Sequence, residues 1–254
     1  MIRKGTKDVE SRFEQAESLY ENKKYDEALK LFEELEPVWP DLSVSNYIGC
    51  CQLNLENFGT AESIFRKLID ESPDWEVPYY NLARVCMKTG RSEEAYGFLK
   101  RSMEINPENG DSYFYAGVFC MKKESWKKAV ECFLKAERYN GEEVETWLNL
   151  TVCYDKIGEK EKALSAAELA LKLAPSDPDA LSNISVFLVR KEDYEKAFGI
   201  LYDKKSVVFN DIGLLKILFN CALKLGKHGV CRETAERILS IDETDSVAKK
   251  YLTN

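Results

Sequence analysis

The chain is 254 residues long, with 44% apolar and 31% charged residues and a net charge of −8 at pH 7. That acidic balance argues against a surface built to neutralise phosphates, so nucleic acid is not expected as the main partner. No apolar run has the length of a membrane span, and even LLKILFNCALKLG is broken by Lys216 and Asn220, so no membrane insertion is expected.

The chain begins MIRKGTKDVE, basic residues with no apolar stretch behind them, which is not the pattern of a secretory signal. Residues 1–8 read as an N-terminal extension. The eight cysteines (Cys50, Cys51, Cys86, Cys120, Cys132, Cys153, Cys221 and Cys231) form no C-x-x-C pair and fall mostly on apolar helical positions. Thiols used as small hydrophobes suit a reducing compartment, and the expected location is cytoplasmic. The tripeptides Asn149-Leu150-Thr151 and Asn183-Ile184-Ser185 then lose their context as glycosylation acceptors. Asn149 and Asn183 are 34 residues apart, and Asn81 lies twice that distance ahead of Asn149. Such spacing belongs to a repeated structural unit.

From Val9 onward the chain fits a 34-residue frame starting at Val9, Leu42, Glu76, Gly110, Val144, Pro178 and Ile212, with one step of 33 and five of 34. Position 20 of the frame is Ala28, Ala61, Ala95, Ala129, Ala163, Ala197 and Cys231. Position 8 is mostly small: Ala16, Gly49, Ala83, Gly117, Thr151, Ser185, then Phe219. Position 24 is Phe32, Phe65, Leu99, Phe133, Ala167, Leu201 and Ala235. Gly90, Gly158 and Gly226 at position 15 mark the end of a first helix, and Pro40, Pro73, Pro107 and Pro175 at position 32 stop a second. Each repeat therefore reads as two antiparallel helices, A and B. Small residues at positions 8 and 20 let them approach, and the residue at 24 fills the space beside them. Where Phe219 occupies position 8, Ala235 at 24 is small, and Trp147 with Tyr154 accompany small Ala167, the volume trading of a packed core.

Small residues at 8 and 20, aromatics at 4, 11 and 24, and Pro at 32 resemble the tetratricopeptide repeat (TPR) family over residues 9–243. The resemblance implies an all-α, right-handed α-solenoid of antiparallel helix pairs, with the A helices lining its concave side. Seven repeats would fill 9–245, and DSVAKKYLTN would supply a short capping helix over 246–254 or, in a longer chain, the start of one more A-type helix. Two departures are expected to show. Repeat 1 carries Arg12 and Gln15 at normally apolar positions 4 and 7, consistent with a wettable end. Repeat 6 has Lys204 at position 27 and no Pro at 32, which predicts a short or displaced second helix.

In that fold, positions 2, 5, 6, 9, 12 and 13 of helix A face the groove. Position 6 is Asn81, Tyr115, Asn149 and Asn183 in repeats 3 to 6, and a row of Asn amides offers a donor and an acceptor to each peptide unit of an extended ligand. Beside it the floor is apolar: Tyr80, Met87, Phe114, Val118, Met121, Leu148, Val152 and Val186, with Val189. Exposed apolar surface of this kind marks an interaction site. A cationic column at position 13 (Lys88, Lys122, Lys156, Arg190, Lys224) falls in the last turn of each A helix, where it meets the helix dipole. Repeat 1 instead presents Glu10, Glu14, Glu17 and Glu21.

The carboxylate clamp of chaperone-binding TPR proteins is not expected. Of its three elements only the middle one, Asn81, has a counterpart; Asn46, Cys50, Asp111 and Tyr115 stand where the others would be. His228 is the single histidine, and no phosphate-binding Gly loop is present, so neither catalysis nor a metal or cofactor is expected. The expected partner is a protein or peptide bound in the groove. The alternative is a scaffold that self-assembles through its terminal repeats.

Overall fold

The computed structural model describes residues 2–253, and these form sixteen helices. The fold is the expected α-solenoid of helix pairs. The A helices are α1 (Ile2–Glu21), α3 (Leu42–Asn54), α5 (Val77–Lys88), α7 (Gly110–Lys122), α9 (Val144–Lys156), α11 (Pro178–Arg190) and α14 (Ile212–Lys224). Their B partners are α2 (Tyr25–Leu35), α4 (Phe58–Glu71), α6 (Ser92–Ile105), α8 (Trp126–Asn140), α10 (Lys160–Leu173), α12 (Tyr194–Asp203) and α15 (His228–Ile241). Two short helices complete the set: α13 (Lys205–Val208) and α16 (Ser246–Thr253). The A helices begin on the frame or, at α5, one residue after it. The first is the exception, because α1 starts at Ile2, so residues 2–8 extend helix A rather than standing apart from it. Met1 and Asn254 lie outside the described residues.

Two compact units result, one made of residues up to 123 with 138–140, the other of 124–137 with 141 onward. Each has the same internal construction. In the first, Ser102 Oγ near the end of α6 donates to the Glu76 carbonyl just ahead of α5 (3.0 Å) and accepts from Ser112 Oγ in the first turn of α7 (2.7 Å). End meets start in both contacts, so successive helices are antiparallel.

Every residue at positions 8, 20 and 24 is buried. The closeness is tightest at Gly49, where an added Cβ would lie 2.6 Å from the Phe65 ring. Phe219 and Ala235 in the second unit invert that pair, and both are buried. The large group sits on whichever helix has the space.

Position 15 is where each pair turns. It is left-handed in all seven repeats, through Gly90, Gly158 and Gly226 but also through Lys23, Glu56, Glu124 and Glu192, whose φ values run from 53° to 62°. A side chain in that region costs about 1 kcal/mol or more. The turn geometry is therefore imposed by the packing of the two helices. Asp41, Asn109, Asp177 and Asp211 cap the next A helix, each accepting a backbone N–H at 2.8–2.9 Å.

Repeat 6 breaks as expected, and position 27 explains it. That position is buried in the six other copies, as Leu35, Leu68, Ser102, Ala136, Ala170 and Ile238. Lys204 cannot be buried without a partner, so α12 ends after ten residues and α13 turns Val208 into the core instead. At repeat 1, Gln15 is exposed and Arg12 pairs with Glu34. Helix α16 buries Ala248 and sets Tyr251 against Phe219, with ring centroids 5.3 Å apart. His228 Nδ1 lies 3.2 Å from the Tyr251 hydroxyl, which ties α15 to α16.

One ion-pair network crosses α4 and α6. Glu62 accepts from Arg91 (3.0 Å) and Arg66 (2.8 Å), and Arg66 reaches Glu94 (3.0 Å). Hydrogen bonding from Arg91, and secondarily from Arg66, holds the Glu62 carboxyl at about 2 against an ordinary 4.5.

Three outcomes are expected in urea titrations. Gly49→Ala should lose about 1–3 kcal/mol by overpacking against Phe65. Glu124→Gly and Glu192→Gly should each gain about 0.5–1 kcal/mol by relieving the left-handed turn. Arg91→Met should cost about 1 kcal/mol at neutral pH. Because the Glu62 value is depressed in the folded state, that cost is full above pH 4.5 and shrinks as pH falls from there toward 2.

Candidate functional site

The residues expected in the groove fall on both units. The first unit holds Tyr80, Asn81 and Met87 on α5 with Phe114, Tyr115, Val118 and Met121 on α7. The second holds Leu148, Asn149 and Val152 on α9 with Asn183 and Val186 on α11. All except Asn81 are half-buried, neither core nor fully wetted. None of these Val, Leu, Met and aromatic side chains is among the exposed large hydrophobics, so each shows only part of its apolar surface on the face of helix A.

Asn81 departs from expectation. It is 0% exposed, its Nδ2 donates to Asn46 Oδ1 (3.0 Å), and its Oδ1 accepts from Arg84 (3.0 Å). Its amide is spent inside the protein and does not extend a ligand-binding row. The reason lies in the neighbouring repeat, where Asn46 occupies position 5, a polar residue that needs a partner once buried. Asn149 and Asn183 have no such neighbour. Their amides make no hydrogen bond within the described residues and keep access to water.

Arg84 is the residue that reading by columns overlooked. It sits at position 9 of α5, where the other copies carry Glu17, Cys50, Val118, Val152, Val186 and Asn220. A single Arg in that column was the available signal. Its guanidinium lies 5.5 Å from the Tyr115 ring centroid, and Tyr20, Cys50 and Tyr80 surround it. Burial pushes the Tyr20 and Tyr80 phenols well up and the Cys50 thiol up to about 11. All three are neutral at physiological pH. Arg84, Met87, Tyr115 and Val118 line an open pocket of about 470 Å³ with Leu53, Lys88 and Lys122.

The cationic column divides. In the second unit Lys156 lies over the Trp126 ring (5.7 Å), Lys224 over Tyr194 (5.9 Å), and Arg190 pairs with Asp155 (2.8 Å). Lys88 and Lys122 form no ion pair or ring contact among the described residues, and both line the pocket. The aromatic that Lys156 and Lys224 each cover stands at position 17 of the preceding repeat. Lys122 has no aromatic at the equivalent position, where repeat 3 has Ser92, whereas Lys88 has Phe58 there and still covers no ring among the described residues.

Profiles described as tetratricopeptide repeat match residues 13–75, 53–117 and 108–178. The chain belongs to the tetratricopeptide repeat family. It is similar to the tetratricopeptide repeat-containing protein trd-1 of Caenorhabditis elegans, at 28% identity over 59% of this chain and 19% of that protein. It is also similar to human protein O-mannosyl-transferase TMTC3, at 26% identity over 67% of this chain and 20% of that protein. The chain thus spans about a fifth of the length of these relatives. Among solved structures, YrrB, described as a TPR protein with an unusual peptide-binding site, superposes with a TM-score of 0.62 at 19% identity. The match covers 75% of this chain and 98% of YrrB, and at this identity it speaks to the fold alone. Proteins of the family mediate protein–protein interaction.

The different fates of the three asparagines give a direct expectation. Asn81→Ala leaves Asn46 and Arg84 short of a partner and should cost about 1–3 kcal/mol of stability. Asn149→Ala and Asn183→Ala should each stay within about 0.5 kcal/mol of wild type, read by thermal unfolding.

Proposed function

We propose that this chain is a non-catalytic adaptor whose helix-A faces bind an extended segment of a partner protein, acting in the reducing environment of the cytoplasm. The observation that carries the reading is the pairing, on α9 and α11, of half-buried Leu148, Val152 and Val186 with two Asn amides that make no hydrogen bond among the described residues. An apolar floor supplies the driving force for docking. An Asn amide beside it can accept from and donate to one peptide unit, fixing the backbone of the ligand without reading its side chains. Cysteines packed as apolar groups, with Cys51, Cys86, Cys221 and Cys231 at 0% exposure, support the compartment. The peptide-binding site in the description of YrrB is a feature of that protein and lends the reading support by analogy of fold. The transferase name of TMTC3 belongs to a protein about four-fifths of which has no counterpart here.

A second reading, association between copies, is supported by the apolar side chains of Val247 and Leu252 on α16, 61% and 36% exposed, with Ile241 nearby at 45%. Light scattering across a concentration series separates the two. Under the adaptor reading the particle mass stays constant, and under self-association it grows.

The adaptor reading predicts that the Asn149→Ala, Asn183→Ala double variant keeps its helicity and unfolding midpoint. It should lose about tenfold or more in affinity for any captured peptide, since two amide-to-backbone hydrogen bonds at about 1 kcal/mol each are removed. Unchanged affinity in that variant would remove the asparagines from the site.

A further inference from the structure

The inference concerns the pocket around Arg84 and rests on the adaptor reading. A half-buried guanidinium is costly unless an anion meets it. Arg84 has no carboxylate at ion-pair distance among the described residues. One N–H goes to the Asn81 amide oxygen, the Tyr20 hydroxyl and the Cys50 thiol also accept from the guanidinium, and the Tyr115 ring offers a face. The groups crowding it, Tyr20, Tyr80 and Cys50, carry no charge at neutral pH. A guanidinium has five donors, so the surroundings leave part of that set unspent.

The rim reinforces the same sign. Lys88 and Lys122 stand at the pocket with no ion-pair partner among the described residues, and Glu56 is the acidic residue lining it. Three cations therefore face one carboxylate in a chain whose net charge is −8. Several other cations of the chain have carboxylate partners. Arg91 and Arg66 share Glu62, Arg190 has Asp155, and Lys216 has Asp245. Along the pocket walls Leu53, Met87 and Val118 supply apolar surface.

We propose that this pocket receives an aspartate or glutamate side chain of the partner segment, its carboxylate paired with Arg84 between Lys88 and Lys122 and its neighbouring apolar residue seated on Leu53, Met87 and Val118. The occupant completes a charge arrangement that the fold leaves open. Specificity for acidic over neutral residues follows, because a neutral side chain would cover Arg84 without paying its desolvation.

The test uses the full chain, fluorescently labelled, on an array of random decapeptides that includes phosphoserine at some positions. The expected result is enrichment of Asp and Glu among bound spots, with loss of about tenfold in binding when that residue becomes Gln or Asn. Arg84→Met should abolish the enrichment while spots without acidic residues stay bound. Bound spots with no acidic enrichment would overturn the proposal and leave the peptide-binding reading standing. No bound spots at all would overturn both. Spots recognised only through phosphoserine would overturn the carboxylate in favour of a phosphoryl group. Should Arg84→Met lose helicity, the exposed pair Lys88→Gln and Lys122→Gln takes its place. That variant should weaken acidic spots several-fold, and unchanged binding would overturn the proposal.

Discussion

The fold depends on how closely two helices can approach at positions 8 and 20. Ala28, Ala61, Ala95, Ala129, Ala163 and Ala197 are all at 0% exposure, pressed against a helix that offers a small residue in return. At close-packed density a single methyl is felt, as the 2.6 Å approach at Gly49 shows. From that approach follow the turn and the register. Two helices held so closely leave room for one tight connection, and the chain adopts a left-handed residue there even when it is Lys or Glu. The connection in turn fixes which face of helix A is left outside the core.

That outer face serves two purposes. Part of it is consumed within the protein. Asn81 with Asn46, and Lys156 and Lys224 over their rings, are polar groups satisfied by neighbours one repeat away. The remainder is only partly used: the Asn149 and Asn183 amides, the half-buried apolar side chains, and Arg84, which meets Asn81 and Tyr115 but no carboxylate among the described residues, with its two lysines. Repetition makes the columns look uniform, yet the partner of each residue is set by the residue at another column of the next repeat. Where Ser92 stands in place of an aromatic, Lys122 has no ring at that position to cover, and where Asn46 stands in place of an apolar residue it pairs with Asn81.

Periodicity made the fold legible. Six of the seven A helices begin within one residue of the frame, and the exception, α1, begins ahead of it and runs through Gly5. The weak point in repeat 6 was also readable, because Lys at a buried column must leave it. The site was legible only as a set of positions. Column reasoning treats equal positions as equivalent, so it grouped Asn81 with Asn149 and passed over Arg84.

By itself the sequence determined the helix pairs, their count and their phase, since a 34-residue recurrence of small, large and helix-stopping residues has one packed solution. It also determined which face of helix A stays outside the core. Tertiary structure alone decided which polar groups on that face remain available. A hydrogen bond or a cation over a ring depends on distances of a few ångströms between side chains some 30 residues apart, such as the 35 between Asn46 and Asn81. Such distances are set by packing and not by order along the chain.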